Sequence, residues 1–346
     1  MQDSAGLVSV VIPAYNAAGF LGKAVESAMA QSYQKLEIIV VDDGSTDNTG
    51  AVARALAARD SRVSVVSHPS RRGVAAARNL GVSQARGEWV AALDADDLWA
   101  REKIERQLEA ASAGPTGLGL VYTWTRYIDD RDRPLAELAA PWEGDVFVPL
   151  VLCNFVGHAS APLIRRTVLE QLGGFDTQFF AQHAQGCEDW DLYLQIARRF
   201  EFRVVRDYLV SYRVVAGGMS RQHRVMERSY RLMMKKLASQ VRVPSHLLRW
   251  SESQFYVYLE AIARANGDAT FGRKCWLRSC CVNPVRLLRL GTYQRVWERL
   301  PRLGGKSPKP TRRRWDNRPP ARLYDWFEAR ALRRGGAWWQ AAAQRT

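Results

Sequence analysis

The sequence predicts an α/β protein in which helices flank a mostly parallel β-sheet. Short continuous runs of apolar and β-branched residues recur through the N-terminal third, and such runs are typical of strands buried on both faces. Each run is followed by a segment whose apolar residues recur with helical spacing. Because the intervening loops are short, this alternation favours parallel strands joined by helices.

Four strands and four helices account for the first part of the predicted sheet. Residues 7–12 read LVSVVI and residues 36–41 read LEIIVV, which is too apolar for strands with one solvated face. No G-x-G-x-x-G follows the first strand, so a dinucleotide-binding fold has little support. The predicted strands are residues 7–12, 36–41, 63–66 and 89–93, and the predicted helices are residues 19–31, 48–59, 73–84 and 100–111.

The pattern changes in the second half of the chain. Strands are expected at residues 118–127 and 202–212, a charged turn at 129–134, and a helix at 163–172. After residue 219 the chain reads as almost wholly helical. The expected domains are a catalytic domain at 1–219, a helical region at 220–303, and a basic linker with an amphipathic tail at 304–346. The C-terminal helices are predicted at residues 221–241, 247–265, 271–281 and 285–300.

The net charge of +15 is unevenly distributed along the chain. Residues 1–219 carry 22 Lys and Arg against 27 Asp and Glu, whereas residues 220–346 carry 28 against 8. This asymmetry indicates an acidic partner for the C-terminal part, either anionic lipid or nucleic acid. A cationic helix with an aromatic face at 322–334 favours an anionic membrane surface as the partner of residues 304–346. The alternative, a solvated basic tail or a contact with another subunit, stays open.

Several features indicate a cytoplasmic protein. No apolar run approaches the roughly 18 to 20 residues of a membrane-spanning helix, and the N-terminus lacks the basic region of a secretory signal. Five scattered cysteines fit a reducing compartment better than a disulfide framework. We therefore expect a cytoplasmic location, with a peripheral contact to the inner face of the membrane through the basic end.

A cluster of three aspartates follows the strand at residues 89–93 directly. Asp94, Asp96 and Asp97 would raise one another's pKa values, because like charges held close together disfavour ionisation. A divalent cation with oxygen ligands relieves this repulsion. The alternative is a solvated turn whose aspartates cap the next helix. The cluster alone leaves both interpretations open.

Six motifs occur in a single order across residues 7–215: VSVVIPAYN, VVDDGSTD, GVAAARNLG, GEWVAALDADD, GGFD and EDWDL. This set resembles glycosyltransferase family 2, whose members have the Rossmann-like GT-A fold. The resemblance implies transfer of a sugar from a nucleoside-diphosphate sugar, with inversion at the sugar carbon and with help from Mn²⁺ or Mg²⁺. It further implies a saccharide or lipid-linked acceptor, as in the synthesis of cell-envelope polysaccharides.

The resemblance assigns the cation and part of the donor site. Asp96 would bind the cation that bridges the two phosphates, and Asp94 would contact the ribose or a metal-bound water. Asp97 is left to cap the next helix. His223 corresponds to a further metal ligand that some relatives carry after the last strand.

The rest of the donor site also follows from the resemblance. Asp43 would accept a hydrogen bond from the nucleobase imide, while the alternative for this region is an Asx-turn, which we assign to Asp42. The remaining donor contacts would line the base and ribose or pair with a phosphate: Pro13, Ala14, Tyr15 and Arg78.

Asp189 is the candidate general base. An inverting transfer needs a carboxylate on the acceptor side to take the hydroxyl proton. The alternative is that Glu188 and Asp189 cap the helix predicted at 190–200, where acidic residues are stabilised in any case. Both interpretations hold if one residue caps the helix and the other is the general base, and we assign catalysis to Asp189.

Two other classes of function compete with a transferase. The basic, Trp-containing C-terminal third suggests a nucleic-acid-binding protein, although no nucleic-acid motif is present and the N-terminal body is acidic. A transferase fold that serves as a non-catalytic binding module is the third interpretation, and the presence of every motif carboxylate argues against it.

Overall fold

The computed structural model describes residues 6–215 and 217–284. The predicted helix at 285–300 and the tail at 304–346 lie outside these residues. The described residues fall into two compact units, 6–150 with 154–240, and 151–153 with 241–284. The boundary predicted after residue 219 falls within the first unit, ahead of the helix that ends at Gln240.

The first part of the sheet is parallel, as predicted. Its strands pair in the order β3-β2-β1-β4, and every residue of the central strand β1 is buried, so both faces of the sheet are covered. These elements are β1 (Val8–Ala14), α1 (Leu21–Met29), β2 (Leu36–Asp42), α2 (Thr49–Arg59), β3 (Val63–Ser67), α3 (Val74–Gln84) and β4 (Trp89–Ala92).

The second part of the sheet is mixed. From β4 it continues in the order β8-β6-β9-β5, with β6 and β9 parallel, β8 antiparallel to both of its neighbours, and β7 paired with β6. The α/β class is confirmed. The elements are β5 (Leu98–Trp99), α4 (Lys103–Ser112), β6 (Leu118–Ile128), β7 (Pro134–Leu138), α5 (Phe147–Leu152), β8 (Leu163–Arg165), α6 (Arg166–Leu172), α7 (Gln178–Ala181), α8 (Glu188–Ala197), β9 (Glu201–Arg213), a 3₁₀ turn (Met219–Arg221) and α9 (His223–Gln240).

Two local predictions are wrong, and one strand was missed. The helix predicted at 163–172 begins with strand β8, because residues 163–165 fill the place between β4 and β6. The charged turn at 129–134 leads into a strand, β7, which the sequence did not indicate. Helix α4 starts only at Lys103, with Glu102 at its N-cap position, because Leu98 and Trp99 pair with β9 as strand β5. Asp97 therefore does not cap the helix.

The second unit contains a helical hairpin of α10 (Ser245–Ala265) and α11 (Ala269–Val282), in the place where helices were predicted. Asp268 caps α11 by accepting a hydrogen bond from the backbone N–H of Phe271 at 3.0 Å. In the described part of the chain no helix is both long enough and apolar enough to cross a membrane.

Candidate active site

Three polar strand ends meet at one edge of the sheet, as expected where the carboxyl ends of parallel strands lie at the same edge. Ala14, the last residue of β1, pairs in register with Asp42, the last residue of β2. The backbone N–H of Asp43 donates to the carbonyl oxygen of Ala14 at 2.8 Å. The neighbouring strand β4 leads into Asp94 at the same edge, since β1 and β4 are parallel. The side chains that follow these strands are therefore neighbours in space.

The aspartate loop, residues 94–97, divides its carboxylates by exposure. Asp97 is fully buried, and its two oxygens accept hydrogen bonds from the Ser160 hydroxyl at 2.6 Å and the Arg213 backbone N–H at 2.9 Å. Asp94 and Asp96 remain partly exposed. Asp97 thus anchors the loop, while the other two carboxylates are open to a ligand.

The two open carboxylates repel each other. Burial raises the pKa of Asp96, and the charge of Asp94 raises it further. Two crowded carboxylates offer hard oxygen ligands, which suit Mn²⁺ or Mg²⁺ bound through one or two carboxylates together with substrate phosphates. The residues present therefore fit the cation that the fold family implies.

His223 is the first residue of α9. Among the described residues, no three His, Cys, Asp or Glu side chains form a group that could hold a metal, so His223 does not join Asp94 and Asp96 in such a group. Its role as a metal ligand remains a prediction.

Arg78 is buried between two parts of the site. We call these the donor side, at the ends of β1, β2 and β4, and the base side, at the candidate catalytic base Asp189. Its Nη2 donates to Oδ1 of Asp94 at 2.6 Å, whereas its Nε has no hydrogen-bond partner within the described residues. Burial lowers the pKa of the guanidinium, but attraction to Asp94, Asp189 and Glu188 more than offsets this effect. Arg78 is therefore a fixed cation in reach of three carboxylates, and the predicted phosphate contact stays untested.

Asp43 is held by the loop that precedes α3. Oδ1 of Asp43 accepts from His68 Nδ1 at 2.7 Å and from the Arg72 backbone at 2.9 Å, and Oδ2 accepts from the Gly73 backbone at 2.8 Å. The observed bonds give Asp43 a role in fixing this loop, and the nucleobase contact remains a prediction. Asp42 accepts from the Ser45 backbone at 2.9 Å, which fits the turn expected there.

Tyr15 is partly exposed beside the end of β1, together with a pair of residues that sequence reasoning missed. The guanidinium carbon of Arg71 lies 4.3 Å from the centre of the Tyr15 ring and 5.6 Å from the centre of the Phe180 ring. This cation between two aromatic rings stands on the predicted donor side. No sequence pattern indicated this arrangement, because Phe180 lies far from Tyr15 and Arg71 along the chain.

Asp189 stands in the first turn of α8, opposite the aspartate loop. Burial raises its pKa to about 7, since the attraction of Arg78 is opposed by the charges of Glu188 and Asp94. A carboxyl group with such a pKa can accept a proton near neutral pH. Both candidates accept a local backbone hydrogen bond: Oε2 of Glu188 from Gly186 at 2.6 Å, and Oδ1 of Asp189 from Trp190 at 2.7 Å. Neither caps α8 with its side chain, and the assignment of catalysis to Asp189 stays a prediction.

Helix α9 supports the segment that carries Asp189, a role that the sequence did not indicate. The Ser229 hydroxyl accepts from the backbone N–H of Cys187 at 2.8 Å. Lys236 donates to Asp176 and to Asp191, at 2.7 Å each. The last acids of the GGFD and EDWD motifs therefore share one lysine, and Asp191 is a structural partner rather than a second base.

The GGFD turn is also fixed to helix α3. The side chain of Asn79 accepts from the Phe175 backbone N–H at 2.8 Å and donates to its carbonyl at 2.7 Å. Gly174 has a φ of +75°, and a Cβ there would lie 2.4 Å from the Asn79 amide oxygen. Only glycine allows this close approach.

Comparisons with known proteins agree with this geometry. The model of the family Glycosyl transferase family 2 matches residues 9–173. The UDP-Glc:alpha-D-GlcNAc-diphosphoundecaprenol beta-1,3-glucosyltransferase WfaP of Escherichia coli is 30% identical over 216 residues, which are 62% of this chain and 80% of that protein. An uncharacterized glycosyltransferase of Rickettsia felis is 30% identical over 213 residues, 61% of this chain. The chain spans 33% of the length of that relative.

A solved structure shows the same fold. The mannosyltransferase PcManGT from Pyrobaculum calidifontis, in complex with GDP-Man and Mn²⁺, superposes with a TM-score of 0.57 at 21% identity. The match covers 85% of this chain and 81% of the other. The strand-end carboxylates, the helix that bears Asp189 and the ordered motifs thus belong to one architecture, and the chain is a member of glycosyltransferase family 2 with the GT-A fold.

Proposed function

We propose that this chain is an inverting, metal-assisted glycosyltransferase of cell-envelope polysaccharide synthesis. It would move a sugar from a nucleoside-diphosphate sugar to a saccharide or lipid-linked acceptor. The observation that carries the proposal is the placement of two open carboxylates, Asp94 and Asp96, across Arg78 from a carboxyl group, Asp189, whose pKa is about 7. The name of WfaP, with a diphosphoundecaprenol acceptor, supports the lipid-linked class.

On the donor side, the chain binds and orients the nucleotide. Pro13, Ala14 and Tyr15 line the base and ribose, and Asp43 contacts the base. A Mn²⁺ or Mg²⁺ ion held by Asp94 and Asp96 would neutralise the charge that develops on the departing diphosphate. Asp97 keeps the loop in place through its buried hydrogen bonds.

On the acceptor side, Asp189 takes the proton. The acceptor hydroxyl oxygen forms a bond to the anomeric carbon of the sugar while the bond to the diphosphate breaks. The bonding electrons leave with the nucleoside diphosphate, and the hydroxyl proton passes to the Asp189 carboxylate. One displacement of this kind inverts the sugar carbon and needs no covalent enzyme intermediate.

A thermal-shift panel tests the donor assignment. The full chain is heated with UDP, GDP and their sugars, each with and without Mn²⁺. We expect one nucleotide to raise the Tm in a Mn²⁺-dependent manner, because a ligand that binds the folded state stabilises it. The nucleotide-sugar that stabilises the chain is then mixed with the chain and with an extract that contains candidate acceptors, and release of the free nucleoside diphosphate shows transfer. Stabilisation by RNA instead of any nucleotide would favour the nucleic-acid interpretation.

The basic tail provides a second test. Residues 304–346, which lie outside the described part, are proposed to bind the anionic surface where a lipid-linked acceptor resides. Removing them should leave nucleotide binding intact and abolish co-sedimentation with vesicles that contain phosphatidylglycerol. Binding of the full chain should weaken as salt rises. If the truncated chain sediments as well as the full chain, the tail is not the membrane contact.

A further inference from the structure

Arg213, the last residue of β9, contacts the aspartate loop twice. Its backbone N–H donates to Oδ1 of Asp97 at 2.9 Å, and its Nε donates to the carbonyl oxygen of Asp96 at 2.8 Å. The side chain is almost completely buried, at 1% exposure. From its buried position, the guanidinium therefore fixes the backbone of the aspartate loop at the predicted cation site.

The other end of the same guanidinium holds the loop between β6 and β7. Nη1 of Arg213 donates to the carbonyl oxygen of Asp129 at 2.8 Å and forms an ion pair with Oδ1 of Asp132 at 2.6 Å. Asp132 has a φ of +63°, a conformation that aspartate and asparagine tolerate better than most residues. This loop thus supplies the counter-charge that a buried guanidinium needs.

We propose that Arg213 is a positioning residue for the cation site, and that it acts by clamping the backbone at Asp96 against the β6–β7 loop. The inference rests on the proposed function, because it concerns the cation and diphosphate. Arg213 touches neither reacting group. It sets where the Asp96 carboxylate stands, and Asp132 keeps the guanidinium oriented.

The planar guanidinium suits this task, since its Nε and Nη1 donate in two fixed directions at once. A lysine retains the charge but has a single nitrogen, so it cannot hold the Asp96 carbonyl and the Asp129–Asp132 loop in the same geometry. Arg213→Lys therefore separates position from charge. Asp132→Asn changes the charge and keeps the position, because asparagine keeps the turn and the acceptor oxygen but removes the counter-charge.

The test measures Mn²⁺ affinity directly, by the loss of the free-ion electron paramagnetic resonance signal in the presence of UDP or GDP. Partners that orient metal ligands typically contribute about 10- to 100-fold in metal affinity. We expect Arg213→Lys to weaken Mn²⁺ binding by the folded protein by about tenfold, and Asp132→Asn to weaken it less. Arg131→Lys, an exposed arginine in the same loop, serves as the matched control and should bind Mn²⁺ as the wild type does.

The outcomes are distinct. If Arg213→Lys binds Mn²⁺ as tightly as the wild type does, the inference is overturned, while the proposed function stands. A loss that Arg131→Lys reproduces overturns the inference as well, because the effect is then not specific to the contacts of Arg213. A variant that fails to fold leaves Asp132→Asn to decide, and unchanged Mn²⁺ affinity there overturns the inference. If the wild type binds no Mn²⁺ with either nucleotide, the metal-assisted function and the inference both fail.

Discussion

The donor side and the base side of this site are built in different ways. On the donor side, the ligand-facing residues follow strands β1, β2 and β4, which are close in sequence and adjacent in the sheet. On the base side, Asp189 sits on a helix whose start is held by Ser229 and Lys236 of α9, some 40 residues further along the chain. The donor side is therefore positioned by the sheet, and the base side by a packed helix.

The two sides also manage charge differently. On the donor side, Asp94 is paired with Arg78, and Asp96 is only partly compensated by the charge of Arg213, as expected where a cation is to bind. The base side neutralises Asp191 with Lys236 and leaves Asp189 with a raised pKa. Because Arg78 faces carboxylates on both sides, it is a shared element, and substitutions elsewhere should separate donor binding from proton transfer.

The largest effect should come from Asp96→Ala. Removing one of two cation ligands should abolish transfer and remove the Mn²⁺-dependent part of nucleotide binding, because the charge on the diphosphate is then not compensated. Isothermal titration of the nucleotide with and without Mn²⁺ measures this loss. Glu109→Ala, which removes an exposed carboxylate on α4, is the control. Metal-dependent turnover by Asp96→Ala would show that the cation site is elsewhere.

Asp189→Asn should have the next largest effect. It keeps the shape of the side chain and removes the proton acceptor, so transfer should fall by about 10² to 10⁴ while nucleotide affinity is retained. In the wild type, kcat should rise with pH through about 7, because the carboxyl group must lose its proton to act as a base. Burial is the main cause of this pKa, with Arg78 lowering it and Glu188 and Asp94 raising it further, and the Asn variant should lose the rise in kcat.

The reverse results are equally clear. Unchanged transfer by Asp189→Asn moves the base to another carboxylate, and Glu188→Gln then tests the nearest one. An equal loss of nucleotide affinity would mean that the two sides are one cooperative unit and not two separately positioned parts of the site.

Sequence reasoning succeeded where local pattern decides position. The parallel strands and the polar residues at their ends follow from apolar runs and short loops, so the convergence of Ala14, Asp42 and Asp94 was predictable. The burial of Asp97 was not, because its partners Ser160 and Arg213 lie 63 and 116 residues away. No spacing rule encodes such contacts. For the same reason the support of Asp189 by α9 was missed, although both helices were expected.

Lys236→Met should have a smaller effect, confined to the base side. It leaves Asp176 and Asp191 without their shared cation, and an unpaired polar group of this kind costs about 1 to 3 kcal/mol of stability. A shift of α8 should lower kcat by about tenfold with the nucleotide affinity unchanged. Chemical denaturation and steady-state kinetics measure the two effects.

The adjacent lysine, Lys235, provides the control for Lys236→Met. Lys235→Met removes an exposed charge on the same helix and should behave as the wild type. Lys236→Arg should restore part of both stability and kcat, since it returns a donor to the two aspartates. A weaker nucleotide affinity in Lys236→Met would show that α9 also sets the donor side.

The smallest effect is expected where the two sides meet. Asn79 on α3 binds the backbone of Phe175 in the GGFD turn, one residue away from Arg78. Asn79→Ala removes both bonds and should lower the free energy of unfolding by about 1 to 3 kcal/mol, because it leaves backbone groups unpaired. Arg78 itself remains held by Asp94, so transfer per folded enzyme should change by less than about threefold, an energy below 1 kcal/mol. Calorimetry and initial rates measure both, with exposed Asn48→Ala as the control. A fall in kcat of tenfold or more would show that the turn, and not the sheet and α9 separately, sets the distance between Arg78 and the base.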